Sequence, residues 1–231
     1  IYYIFGIEFL RGTWVQIAWI VLALVTIFLG SMMAYNENKI KVRLAYSTIS
    51  QVSYALLGLF FMNKIAFVGA LLHIVYHSLI KDALFLSAGN IIYSTHKENV
   101  DQLKGIGKSM PVTIVCFTVL SLSLIGIPPF AGFLSKWKLA QGALISGLTP
   151  YDWVAPSILL ISALLTAGYL LPIVIMGFFP GKDFKFIKEE GTEAPVFMNV
   201  ALVLLTTVAL FLGMFAEPLL QYLNGIAYTL F

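Results

Sequence analysis

Charge is scarce in this sequence. Only 11% of its 231 residues are Asp, Glu, Lys or Arg, against 60% hydrophobic residues and a mean hydropathy of +0.92. Soluble domains carry about a quarter charged residues, so a water-soluble domain is excluded. The formal net charge of +3 is too small and too scattered for a nucleic-acid surface. Cysteine is nearly missing as well. Cys116, in "VTIVCFTVL", has no second thiol for an internal disulfide or a CxxC-type metal site, and reads as membrane packing. With no nucleotide loop, flavin site or cysteine cluster, the chain offers nothing on which to run electron chemistry. The alternating pattern of a barrel strand is absent. The opening "IYYIFGIEFL" has no Met and no basic stretch before an apolar core, so it is not a signal peptide. It reads as the tail of a helix, which predicts a piece of a longer chain.

What the sequence does have is a series of apolar runs of roughly 20 residues, each long enough to cross about 30 Å of hydrocarbon. Backbone polar groups must satisfy one another in lipid, so these runs are predicted as helices. They fall at 1–10, 14–35, 41–62, 66–94, 111–128, 131–147, 153–178 and 195–215, with a terminal segment at 217–230. Two places read as interruptions: "RGT" at 11–13 before Trp14, and "LTPYD" at 148–152 before Trp153. They are either breaks in discontinuous helices, which commonly lie near midplane sites, or tight turns at the membrane surface. Counting each broken pair as one crossing sorts the loop cations. Lys39, Lys97, Lys104, Lys108, Lys182, Lys185 and Lys188 fall on one side and Lys64 on the other. The basic side, with loops 36–40, 95–110 and 179–194, is expected to be cytoplasmic.

Ionisable groups inside spans are expensive and normally face a protein interior or a wet cavity. In "HIVYHSLIKDALFLSAG", His73, His77 and Lys81 are spaced four apart and lie up one stripe of a helix, flanked by Tyr76 and Ser78. Histidine titrates near neutral pH, and a lysine moved out of water holds its proton less tightly. A proton relay is one reading. Hydrogen-bonded packing histidines are another, and zinc a third, although the glutamate of HExxH is missing. In "KIKVRLAYSTISQVSY", Lys41 and Arg43 open a span lined by Tyr46, Ser47, Thr48, Ser50, Gln51 and Ser53, so its first turns face something wet or hydrogen-bonding. Snorkelling at the interface suits Arg43 or Lys39. In "GIPPFAGFLSKWKLAQGAL", Pro128 and Pro129 break the helical ladder, Gly126 and Gly132 allow close approach, and Lys136 sits one turn inside. If Lys136 faces a cavity, water, carboxylates or the open carbonyls of a helix end must hold its charge. Lys138 points elsewhere and is expected to snorkel.

In this order, "KVRLAYSTISQ", "HIVYHSLIKDALFLSAG" and "GIPPFAGFLSKWKLAQGAL" closely resemble the antiporter-like membrane subunits of respiratory complex I, Mrp-type sodium/proton antiporters and energy-converting hydrogenases. "TEAPVFM" is similar to the Mrp-like members. The resemblance spans about 14–215 and corresponds to the C-terminal half of a full subunit. It implies an all-α polytopic bundle with discontinuous helices, one half of an inverted repeat. The end of a first-bundle broken helix would occupy 1–35, a span opening with the central lysine 36–62, and a second bundle with a broken helix over 131–178 would fill 63–178. A loop at 179–194 and C-terminal spans at 195–231 would follow.

Carried over by motif, Lys41 resembles the family's central lysine, His73, His77 and Lys81 its linking relay, and Lys136 the lysine on the second broken helix. Ser47 and Ser50 would organise water. Asp82 departs from the family, which has a small or apolar residue there; it could pair with a neighbouring helix or modulate Lys81. The resemblance further implies a prokaryotic cell membrane and partner membrane subunits holding any redox cofactors, with none in this chain. Proton, and conceivably sodium, translocation is the expected function. A non-conducting structural subunit and an independent polytopic transporter are the alternatives.

Overall fold

The computed structural model describes residues 2–181 and 193–231. Among them the chain is helical, without strands. Two single turns, α1 (Tyr2–Phe5) and α2 (Ile7–Leu10), precede the long helices α3 (Trp14–Asn36), α4 (Ile40–Phe60) and α5 (Lys64–Thr95). A short connector holds a 3-10 turn and α6 (Ile106–Ser109). Then come α7 (Pro111–Ile125), α8 (Ala131–Leu144), α9 (Tyr151–Phe178), α10 (Val196–Met214) and α11 (Glu217–Leu230). Of these, α3, α5, α9 and α10 are long and apolar enough to cross a membrane. The 21 residues of α4 reach about 31 Å, but its apolar character is diluted by buried Arg43, Ser47, Ser50, Gln51 and Ser53.

That placement inverts the soluble rule. Leu22, Val25 and Leu29 of α3, Leu160 and Leu164 of α9, and Val203, Leu204 and Phe211 of α10 are exposed, whereas the hydroxyl, amide and imidazole side chains of the long helices are largely inside. Such a molecule is built for a solvent of hydrocarbon, where a polar side chain is better satisfied by protein than by lipid. The 32-residue α5 is the central post, packed by α4, α7, α8, α10 and α11.

Hydrogen bonds sort the connections to two ends. At one, Ile40 N–H donates to the Glu98 carbonyl (3.0 Å) and Val100 N–H to that of Asn38 (2.9 Å), while Gly105 N–H reaches the Met176 carbonyl (2.9 Å). Glu193 joins them, accepting from Val112 N–H at 2.6 Å at the start of α7. At the other end Arg11 donates to the Met62 carbonyl (3.0 Å), Gln16 to that of Phe60 (2.8 Å) and Asn63 to that of Gly142 (2.8 Å). Lys39, Lys97, Lys104 and Lys108 therefore share one end, and Lys64 lies at the other, the grouping expected from the sequence. Lys182, Lys185 and Lys188 fall outside the described residues.

The discontinuity lies elsewhere than at 148–152. Helix α7 leaves the Glu193 end and its 15 residues rise about 22 Å; α8, of 14 residues, finishes at the Asn63 end. Neither crosses alone, and together they do. The interruption is therefore "GIPPF", 126–130, with Pro128 and Pro129 exposed in the gap and Gly126 at φ 91° closing α7. The 28 residues of α9 make a complete return crossing, so 131–178 is not one broken helix. Pro150 and Tyr151 belong to a turn at the Asn63 end, and the 11–13 break lies at that same end, between Arg11 and Gln16. Both are surface turns.

Candidate functional site

Because His73, His77 and Lys81 recur every four residues, α5 presents them as a ladder. It runs inward: His73 and Lys81 are each only 3% exposed, and His77 is half-buried. The His73 ring stacks against that of His77 (centroids 6.0 Å, 15° between planes) on one side and Tyr54 of α4 on the other (5.3 Å, 15°). The Lys136 ammonium also lies over the Tyr54 ring, 5.2 Å from its centre. At the far end Lys81 Nζ donates to the Leu44 carbonyl of α4 at 2.9 Å and faces the Phe85 ring. The order Lys136, Tyr54, His73, His77, Lys81 is thus a single row of aromatic and basic side chains gathered from α8, α4 and α5.

The break supplies the anchor for Lys136. Ending α7 leaves carbonyls without an i+4 partner, and Lys136 Nζ donates to two of them, Leu124 (2.7 Å) and Ile125 (3.0 Å). Of the three ways of holding this charge read from the sequence, the geometry realises the helix C-terminus, where the dipole favours a cation. Gly132 makes the approach possible: a Cβ there would collide with the Ser123 carbonyl oxygen.

Ser135, beside Lys136, holds the His73 ring. Its hydroxyl lies 3.2 Å from the Gly132 carbonyl and 3.0 Å from His73 Nδ1. Either tautomer fits that second bond: the hydroxyl gives its proton to Nδ1 or takes one from it, and the opposite role falls to Nε2. That Nε2 has no partner among the described residues, nor has His77 Nε2. Both amide atoms of Gln51, which lies against His73, and the hydroxyls of Ser121 and Ser123 on α7 are likewise buried and unpartnered. Buried polar groups are nearly always satisfied, so these atoms, with Asn90 Oδ1 further along α5, are the exceptions among the described residues.

Two residues singled out in the sequence, Lys41 and Asp82, stand outside this row. Lys41 is exposed in the first turn of α4, beside Lys39 and Glu98 at a surface pocket. The motif match to the family's central lysine therefore lands on a side chain at the bundle's end. Helix phase explains it: the buried stripe of α4 is Arg43, Ser47, Ser50, Gln51 and Tyr54, and Lys41 lies two residues, or about 200°, away. Arg43 is the interior cation of that turn, not a snorkelling one. Its Nε donates to the Glu37 carbonyl (2.7 Å) and a terminal nitrogen to that of Tyr169 (2.8 Å). Asp82 is exposed, and no described group pairs with it.

The hydroxyls expected to organise water bind protein. Ser50 contacts Ser31 (2.8 Å) and Ser162 (3.3 Å) and donates to the Ile27 carbonyl (2.9 Å). Ser47 accepts from the Tyr169 hydroxyl at 2.6 Å. Tyr46 packs half-buried against the core. Missing from the sequence reading were Tyr54 and Ser135, although each had a signal. Tyr54 continues the 47–51 face of α4, and Ser135 lies one turn above Gly132.

An all-helical bundle with an interrupted crossing and a buried basic row defines a class: membrane subunits of the antiporter-like kind. Its fold matches a chain of the Mrp complex from Dietzia sp. DQ12-45-1b (TM-score 0.85, 24% identity, 99% of this chain and 49% of that one). It also matches a chain of respiratory complex I from Thermus thermophilus (TM-score 0.81, 22% identity, 97% and 45%). In sequence it is 36% identical over 214 residues to NADH-quinone oxidoreductase subunit N of Desulforudis audaxviator, covering 88% of this chain and 42% of that protein. Residues 2–166 match the model of the NADH:quinone oxidoreductase/Mrp antiporter transmembrane family, and the chain belongs to that family. It is an integral membrane protein, and it spans about half the length of the curated relative it matches.

Proposed function

We propose that this chain moves protons across the membrane along Lys136, His73, His77 and Lys81, as one subunit of a multi-subunit redox or antiport complex. The observation that carries the reading is the pair of unpartnered imidazole Nε2 atoms between buried Lys81 and half-buried Lys136, whose hydrogen bonds among the described residues go to backbone carbonyls. A carbonyl holds an ammonium without neutralising it, as a carboxylate would. The charge therefore stays responsive to its neighbours. Two like charges about 7 Å apart at an effective dielectric of about 20 repel by about 2.4 kcal/mol, enough to change protonation by between about tenfold and a hundredfold. Protonating one member disfavours the next, and a proton entering at one end is balanced by one leaving further on. Tyr54 touches both Lys136 and His73 and ties α4 to the row.

The row contains amines and imidazoles and no carboxylate, and among the described residues no cluster of His, Cys, Asp and Glu could hold a metal ion. Sodium seeks oxygen ligands, as hard cations do, so this chemistry favours the proton as cargo. The end bearing Lys39, Lys97, Lys104 and Lys108 is assigned to the cytoplasm on the excess of basic residues, and redox cofactors are assigned to partner subunits. The deciding experiment is Lys136→Ala in the full assembly, reconstituted into vesicles with a pH-sensitive dye. Proton transport should disappear while the complex purifies intact. Transport at the wild-type rate would remove Lys136 from the path.

A further inference from the structure

Asp82 sits next to Lys81 but on the opposite side of the matter: it points out of the bundle. It follows Lys64 by 18 residues and precedes Thr95 by 13, which places it about 27 Å and about 20 Å from the two ends of α5. That is close to mid-membrane. Every other described carboxylate, at Glu8, Glu37, Glu98, Asp101, Asp152, Glu193 and Glu217, lies at a helix end or in a connection. Ser78, one turn away, is exposed on the same stripe, and Gly89, two turns the other way, faces open space. Alongside runs a groove between α4 and α5 lined by Thr48, Ser53 and Phe85 with apolar neighbours. By contrast, α3 and α10 carry no charged residue, and α9 has only Asp152 in its first turn.

We propose that this stripe of α5 docks a membrane helix carrying a lysine or arginine at the level of Asp82, supplied by the companion half-bundle that relatives of twice this length contain. A carboxylate facing hydrocarbon is strongly disfavoured, and ionisable residues in spans are normally paired. An acid on a helix face therefore calls for a base on the helix that covers it. Ser78 and Gly89 suit close helix approach, since small residues let backbones come together in lipid. The matched solved chains extend for as much length again beyond the part this chain covers, which is enough for a second bundle. A symmetric second copy is a poor occupant, because it sets carboxylate against carboxylate. The inference concerns docking and does not depend on the proton-transfer reading.

The test uses the complete protein in its native membrane complex, with the photoreactive residue p-benzoylphenylalanine in place of Ser78 so that Asp82 is kept. Mass spectrometry of the illuminated complex should find a peptide of the companion half-bundle with a Lys or Arg within one helical turn of the crosslink. Crosslinks to lipid, to a separate subunit or to a second copy overturn the assignment. In parallel, Asp82→Lys should lower the yield of assembled complex by roughly tenfold, as breaking a desolvated pair does, and replacing the crosslinked basic residue with Asp should restore it. Wild-type assembly of Asp82→Lys, or a failure of the reciprocal change to rescue, rejects the pairing. The proton-transport rate of Lys136→Ala is read separately, so the two ideas stand or fall apart.

Discussion

Two buried polar regions lie within a few turns of each other in this bundle, and they are built on opposite plans. Where α3, α4 and α9 meet, Ser31, Ser50 and Ser162 hydrogen-bond one another, with Ser31 and Ser162 2.6 Å apart. Nearby, the Tyr169 hydroxyl is shared by Ser47 and Thr166, and that of Tyr54 donates to the Leu159 carbonyl (3.0 Å). Every hydroxyl there has a protein partner. Along α5, against α8, the imidazole Nε2 atoms have none. Closed polar networks rigidify and specify a fold; a row with spare donors and acceptors does not add to stability in that way and is better explained by use. The difference sets the part of the bundle that holds helices together apart from the row proposed to carry protons.

That contrast can be broken from the working side first. Lys81→Met removes one end of the row, and dye-monitored transport by the reconstituted complex should fall by about 100-fold or more, the scale at which losing a positioned proton carrier is felt. His73→Phe keeps the stack on Tyr54 but removes both nitrogens, and transport should fall by about tenfold or more. On the holding side the signs exchange. Ser50→Ala should leave the transport rate within about twofold and lower the stability of the detergent-solubilised complex by about 1 kcal/mol, the worth of an ordinary hydrogen bond. The smallest effect belongs to Lys41→Gln, whose side chain is exposed at the bundle's end: transport and stability should both match the parent. A large transport defect there would return Lys41 to the path and dissolve the division drawn here.

Much of this was legible before any coordinates, and the reasons are local. The ladder of His73, His77 and Lys81 follows from helical period alone, and the apolar runs set the number of long helices. "GIPPF" was readable as a ladder break because prolines withhold a donor. Which flanking pieces shared a crossing was not, since that depends on which end each helix reaches. The Trp-led pattern at Trp14 and Trp153 pointed to the wrong pair. Pro156 and Pro172 lie inside α9 without ending it, so proline by itself does not locate a break. Lys41 and Arg43 were confused because both open one helix, and only phase against the Ser47, Gln51 and Tyr54 face tells them apart. The partners of Ser50 and Tyr169 lie up to 112 and 122 positions away, a separation at which no sequence pattern speaks.

Lys136 also has a mechanical meaning. It fastens two half-length rods across the "GIPPF" gap, with Nζ reaching back over the joint to both Leu124 and Ile125. Charge-assisted bonds are roughly twice as strong as neutral ones, so the fastener is firm when the amine is charged and slack when it is not. Stiffness of the jointed crossing and occupancy by one proton then become the same variable. In the proposed path, losing that proton would loosen the joint at its midpoint.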